Sequence, residues 1–336
     1  MIGKKVMKNK VSTSKLFFWI FFAVFFWIAV TYFAQTKHIL EVLSAGRWYW
    51  IILAVLCQLF YYPFYAYFAE NIFEIFKIDL SRKEILPIYI ASKFTDIALP
   101  ISTLGMIAIF VKYGKKKNVS ALGSGISVTL VLLFELLSFV LLSWIIILVL
   151  FAFHQSRAYL FIPLMLLTVF LLVLALLVLR ITRSGGKLQN KVLLWPIRLI
   201  AKLAGQGSID MAVIADIIKV IGKDLKNNKD KVLPSLYCGF ITHIVNIATF
   251  AFIFLAFTGQ LNILAILAGY VAGLLLTIIS ITPQGVGVAE AVIIATLHSF
   301  GLEVPVAAVI TLAFRALLYW LPLFPGFYFF SRLELN

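Results

Sequence analysis

Glu290 and Arg315 are the residues best equipped for chemistry, because each is an ionisable side chain set in apolar sequence. A charge at membrane depth is costly, so it marks a functional site by default. Glu290 closes the stretch Ile281-Thr282-Pro283-Gln284-Gly285-Val286-Gly287-Val288-Ala289-Glu290. It can bind a cationic headgroup, accept a proton, or cap the helix that starts there by taking up free N–H groups at the positive end of the helix dipole. Arg315 can hold a lipid phosphate through its planar fork, or serve as a structural partner to Glu290 or Glu135. Gly285 and Gly287 permit a tight turn, and their bared N–H groups can form an anion-binding nest. Glu135 sits mid-span with Ser138 one turn on, placed for substrate or for a hydrogen bond to a neighbouring helix. Lys93 and Asp96, at i and i+3, can pair with each other, and Asp96 can also cap a half-helix near Pro100. His243 and His298 are isolated and lack metal-ligand spacing, which gives them structural roles.

These residues need elements to position them, and composition fixes the setting. The chain is 63% hydrophobic and only 13% charged, with a mean hydropathy of +1.05. That is more apolar surface than a soluble domain can hide, and runs long enough to cross about 30 Å of hydrocarbon recur. The formal charge of +15 lies in the loops, the positive-inside pattern, which favours anionic lipid surfaces over nucleic acid. Cys57 and Cys238 fall within apolar segments and read as buried thiols outside any disulfide or metal framework. Lys4, Lys5, Lys8, Lys10 and Lys15 precede an apolar run, predicting a retained signal anchor with a cytoplasmic N-terminus in the cell membrane.

The predicted spans are Leu16–Ala34, Trp48–Ala69, one crossing within Val119–Phe153, Phe161–Leu179, Leu233–Phe257, Leu261–Ile279 and Pro305–Phe330. Ile85–Tyr113 is too polar for a lipid-facing span. Cytoplasmic charge flanks it on both sides, which predicts a re-entrant hairpin. Residues 180–231 form a basic cytoplasmic loop. Within it Ile214, Ile217, Ile218, Ile221 and Leu225 recur at helical spacing, with Lys219 and Lys223 elsewhere on the helix. That pattern is an amphipathic helix lying on the membrane or on the spans.

Around Pro283 the sequence breaks a helix. Backbone groups freed inside a membrane survive only where protein buries them or a wet cavity receives them. A second broken helix near something polar is therefore predicted there. Pro100 with Gly105 echoes Pro283 with Gly285 and Gly287, suggesting an internal pseudo-repeat of the kind that sets substrate between two halves. The expected fold is an all-α polytopic membrane bundle with two broken or re-entrant segments. Length predicts one integral membrane domain, 1–336, with no room for a separate catalytic domain.

Pro283–Glu290 and Arg315–Gly326 carry a family likeness. The chain resembles the membrane region of lysylphosphatidylglycerol synthases, also called the flippase-like or UPF0104 family, over nearly its whole length. That family's late motif, P-G-G-I/L-G-x-x-E, stands here as Pro283-Gln284-Gly285-Val286-Gly287-Val288-Ala289-Glu290, with Gln284 in place of a glycine. The Arg, aromatic and P-x-x-x-G that follow are Arg315, Tyr319 and Pro322-Leu323-Phe324-Pro325-Gly326. In the first half, L-P-x-x-x-G-E-x-x-R becomes Leu99-Pro100-Ile101-Ser102-Thr103-Leu104-Gly105-Met106, with Met106 at the carboxylate position. Of E-R-x-x-D only Glu135 remains.

The resemblance implies a lipid-handling membrane protein, because in full-length synthases this region moves aminoacylated phospholipid between leaflets. The substrate-binding set it points to is Glu290, Arg315, Gly285, Gly287, Pro283, Gln284, Tyr319, Glu135, Asp96 and Pro100. No catalytic residue, metal or cofactor is assigned. Expected partners are phospholipids with an anionic or aminoacylated headgroup; a separate soluble lipid-modifying enzyme and a second copy of the chain are further candidates. Lipid aminoacylation and small-solute transport are the competing functions. The chain has no nucleophile with a paired base and no Asp-rich metal motif to support the first.

Overall fold

A computed structural model describes residues 37–98, 102–117, 121–155, 158–183, 222–280 and 282–333. The predicted span Leu16–Ala34, most of the amphipathic segment (214–221) and Pro100 lie outside the described residues. Among the described residues all regular structure is helical. The helices are α1 Lys37–Ser44, α2 Trp48–Ile75, α3 Arg82–Ala98, α4 Ser102–Lys116, α5 Ala121–Ala152, α6 Ala158–Arg183, α7 Lys229–Thr258, α8 Ile263–Ile279, α9 Val288–Ser299, α10 Val304–Arg315 and α11 Leu323–Arg332.

Among the described residues, five stretches are long and apolar enough to cross a membrane: 48–75, 123–152, 159–176, 229–258 and 304–332. Large side chains such as Phe161, Leu166 and Phe170 stand exposed on α6, the surface that lipid would cover. Two predicted spans differ in detail. The predicted span Leu261–Ile279 holds the helix Ile263–Ile279, of 17 residues, shorter than the roughly 20 that a crossing typically needs. Its start is fixed by Asn262, whose side chain accepts the Ala265 N–H at 3.0 Å, and its end by the break. Pro305–Phe330 is not one even helix. A π turn at Ala316–Trp320 widens it, with the Leu321 N–H reaching back five residues to the Ala316 carbonyl at 2.9 Å.

α3 and α4 pack as an antiparallel pair. Ser81 and Glu84 form the carboxylate half of the capping box that the sequence Ser-x-x-Glu suggests. The Ser81 N–H and hydroxyl both donate to Glu84 Oε2, at 3.1 and 2.9 Å. Glu84 Oε1 also meets Lys117 Nζ at 2.8 Å, tying the start of α3 to the end of α4. α11 closes over α3 with Phe327 and Phe330 against Phe94.

Among the described residues the buried apolar side chains form two clusters. One joins α5 and α6 to α7, α8, α9 and α10 around Phe250, Phe254, Val271, Ile293 and Ile310. The other joins α2, α3, α4 and α5 around Tyr65, Phe68, Phe73, Tyr89 and Phe110. α5 contributes to both. The cavity described below takes residues from each.

Candidate functional site

α8 stops at Ile279, and the chain does not resume α-helix until Val288. The intervening Pro283–Gly285 forms one 3-10 turn. Three residues of the break take left-handed backbone angles: Gln284 at φ 52°, Gly285 at 67° and Gly287 at 86°. A side chain at Gly285 would also collide, since its Cβ would lie 2.8 Å from Thr277 Cα. Glycine is therefore required there on two counts. α9 then starts with Gly287 as its N-cap and Glu290 at the third position. Glu290 Oε2 accepts the Gly287 N–H at 2.7 Å, the carboxylate half of a capping box. Glycine has no side chain to return the bond.

The other Glu290 oxygen faces Arg315. Arg315 Nε donates to Glu290 Oε1 at 2.7 Å, Nη1 to the Thr277 hydroxyl at 3.1 Å and Nη2 to the Gln284 carbonyl at 2.6 Å. Its guanidinium carbon lies 4.2 Å above the centre of the Tyr319 ring, in cation–π range. The Arg315 side chain is only 6% exposed and that of Glu290 16%. Guanidinium and carboxylate thus compensate each other away from bulk water, as buried charges must. α8 supplies Thr277, the break supplies Gln284, α9 supplies Glu290 and α10 supplies Arg315. The Arg315 fork therefore holds four consecutive elements together.

Arg315 opens onto a cavity of about 370 Å³. Gln284, Tyr319, Glu135 and Asp96 line it too, so five of the predicted residues converge. Glu290 is not a lining residue and acts on the cavity through Arg315. Gly285 and Gly287 shape the break, and Pro283 opens the 3-10 turn. The predicted glycine nest is corrected by the hydrogen bonds. The Gly285 N–H donates to the Thr282 carbonyl at 2.9 Å and the Gly287 N–H to Glu290. Both donors are spent within the break, and the group it offers the site is an acceptor, the Gln284 carbonyl.

The far wall of the cavity is acidic and aromatic. Tyr65 donates to Glu135 Oε2 at 3.0 Å and stacks on Tyr89 with centroids 3.8 Å apart. Lys93 and Asp96 face separate groups. Lys93 Nζ lies 4.9 Å from the centre of the Tyr89 ring, and Asp96 lies near the Met106 backbone N–H. Asp96 thus faces α4 beside Gly105, where Thr95 and Asp96 crowd any added Cβ. His243, expected to be structural, also lines the cavity. Its ring bridges the Tyr270 hydroxyl at 2.8 Å and the Glu135 carbonyl oxygen at 3.1 Å.

Sequence reasoning missed Thr277 and the polar face of α2. Gln58, Tyr61, Tyr62 and Tyr65 all line the cavity, at the three-to-four-residue spacing of one helix face. That stripe in an otherwise apolar helix was the available signal.

The family model described as "Lysylphosphatidylglycerol synthase TM region" matches residues 16–326. The UPF0104 membrane protein MJ1595 of Methanocaldococcus jannaschii is 30% identical over 106 residues, which is 31% of this chain and 32% of that protein. That match spans about a third of the length of the relative. Together with the five apolar helices, the family match makes this a multi-pass membrane protein.

Proposed function

We propose that this chain, which belongs to the lysylphosphatidylglycerol synthase transmembrane-region family, moves a phospholipid or lipid-linked headgroup between membrane leaflets. The headgroup would enter the cavity while its acyl chains stay in lipid. One observation carries the reading. A nearly buried arginine, Arg315, faces the cavity with its fork divided among a carboxylate, a hydroxyl and a carbonyl. Phosphate oxygens suit the same planar donors and would displace Glu290, which keeps the Gly287 N–H.

The α3–α4 pair and the α8–α9 break would be the two re-entrant segments, related as an internal repeat, with substrate between them. The contact of α3 with the 3-10 turn supports this reading. The protein would lie in the cell membrane with its N-terminus and the 180–231 region on the cytoplasmic side. A separately encoded soluble lipid-modifying enzyme would supply substrate.

The test is lipid movement in proteoliposomes carrying headgroup-labelled anionic, zwitterionic and lysyl-modified lipids. Headgroup-selective movement that falls at least tenfold in Glu290→Gln and Arg315→Gln is expected. Absence of movement for every lipid, from protein shown to be folded, would overturn the proposal.

A further inference from the structure

The cavity's acidic wall is unused by this reading. Asp96 is 6% exposed, and its Oδ1 is buried without any hydrogen-bond partner. A bare, buried carboxylate oxygen carries the full cost of its lost hydration. Glu135 lines the same cavity from α5.

The groups around Asp96 can be taken element by element. α3 itself supplies Lys93, and α2 supplies Tyr61, Tyr62 and Tyr65. α5 supplies Glu135, α7 supplies His243, α8 supplies Tyr270, and the C-terminal span supplies Arg315 and Tyr319. α4 supplies Met106 and the 3-10 turn Gln284, neither of which titrates. α11 packs against α3 but places no residue on the cavity. Arg315 is already matched by Glu290. Lys93 offsets one of the two remaining acids, which leaves one negative charge uncompensated.

We propose that Asp96 holds one proton in the cavity, and that headgroup movement is coupled to the passage of that proton across the membrane. This rests on the translocase reading.

Two other occupants fit less well. An organic ammonium would need open ring faces, yet Tyr65 and Tyr89 are stacked on each other at 14° and Lys93 already lies over Tyr89. A metal ion would need more ligands, and the described residues contain no group of three His, Cys, Asp or Glu side chains that could hold one. A proton needs only the bare oxygen. It converts that oxygen into a donor and relieves the repulsion between like charges. In the proposed cycle the proton would enter from water on one side of the membrane and leave to water on the other once the cavity reopens there, so Asp96 does not retain it.

The test has two arms on the full-length protein. Infrared difference spectra between acid and alkaline pH in lipid nanodiscs read the site directly. One protonated-carboxyl band is expected, lost in Asp96→Asn. Absence of such a band overturns the proton site whatever the lipid assay reads.

The second arm imposes a pH gradient on proteoliposomes and follows lumenal pH with labelled-lipid exposure. One-to-one coupling shifts the leaflet ratio by about tenfold per pH unit. In Asp96→Asn the ratio of rates with and without the gradient should fall to one. A band together with lipid movement that ignores the gradient overturns the coupling and leaves the translocase reading intact. Absence of lipid movement altogether overturns the translocase reading and the coupling with it, and the band alone then decides the proton site.

Discussion

Arg315 Nε and Glu290 Oε1 lie 2.7 Å apart although 25 residues separate them in sequence. The bond joins the start of α9 to the end of the next helix, α10, and Glu290 caps α9 with its other oxygen. A single carboxylate therefore fixes both where α9 begins and where Arg315 points. The residues that make the break habitable are also those that present a guanidinium to the cavity. Structure and function are coupled at this pair, and variants must be read with that in mind.

The first prediction separates the two. Removing one member of a buried pair leaves the other charge uncompensated, at a cost of about 3–5 kcal/mol. Arg315→Ala and Glu290→Ala should each lower the thermal midpoint in detergent sharply. The double variant should lie well above the sum of the two losses. Strict additivity would mean that the 2.7 Å contact contributes nothing to stability.

Glycine at 285 and at 287 should respond unequally to alanine. Both have left-handed backbone angles, worth roughly 1–2 kcal/mol against any L side chain. Only Gly285 adds a steric clash, with Thr277 Cα 2.8 Å from the added Cβ, whereas nothing lies within 4 Å of one at Gly287. Gly285→Ala should thus be the more destabilising of the two and should disturb the Thr277–Arg315 bond. Equal losses in thermal midpoint would show that the backbone angle alone sets the requirement.

Much of this architecture was legible in the sequence for a local reason. Pro283, Gly285 and Gly287 interrupt apolar sequence, and a helix cannot continue through them. Glu290 at the third helical position is a cap written in four residues. Glu135, Asp96 and Arg315 drew attention as polar groups in apolar or broken segments and Gln284 through the late motif, and the cavity gathers all four. What stayed hidden depends on contacts between distant segments. Thr277 is an ordinary residue of α8 until Arg315 reaches it from 38 residues away. Tyr65 becomes a site residue only because α2 and α5 bring it to Glu135. His243 has no ligand spacing of its own, and its place follows from Tyr270 and the Glu135 backbone. The anion nest failed because the sequence gives the glycines but not the acceptors that claim their N–H groups.

Outside the membrane-embedded part, Glu84 and Lys117 give a pH prediction. The Lys117 ammonium, the Ser81 N–H and the Ser81 hydroxyl hold the Glu84 carboxyl below its ordinary 4.5. Glu84 in return holds Lys117 above its ordinary 10.5. A depressed acid contributes stability above its unfolded value and loses it as pH falls through the folded one. A raised base contributes below its unfolded value and loses it as pH rises through the folded one. The pair therefore supports the α3–α4 ends between about pH 4.5 and 10.5. The stability difference between wild type and Glu84→Gln should be small, as for exposed pairs, and should vanish in acid. A difference that persists unchanged well below pH 4.5 would assign the effect to the capping bonds.

The same ion pair makes the topology testable. Ser81 bonds Glu84, and Glu84 meets Lys117, so both ends of the α3–α4 pair emerge together. α3 has 17 residues and α4 has 15, about 25 and 22 Å at the helical rise. Each is shorter than the roughly 30 Å of hydrocarbon that a crossing must span. The segment should therefore enter and leave through one face. With Cys57 and Cys238 replaced by alanine, Ser81→Cys and Lys117→Cys should both react with an impermeant thiol reagent applied to the cytoplasmic face of oriented vesicles. Neither should react from the other side. Labelling of the two positions from opposite faces would make the segment a crossing and would remove one of the two re-entrant walls on which the translocase reading relies.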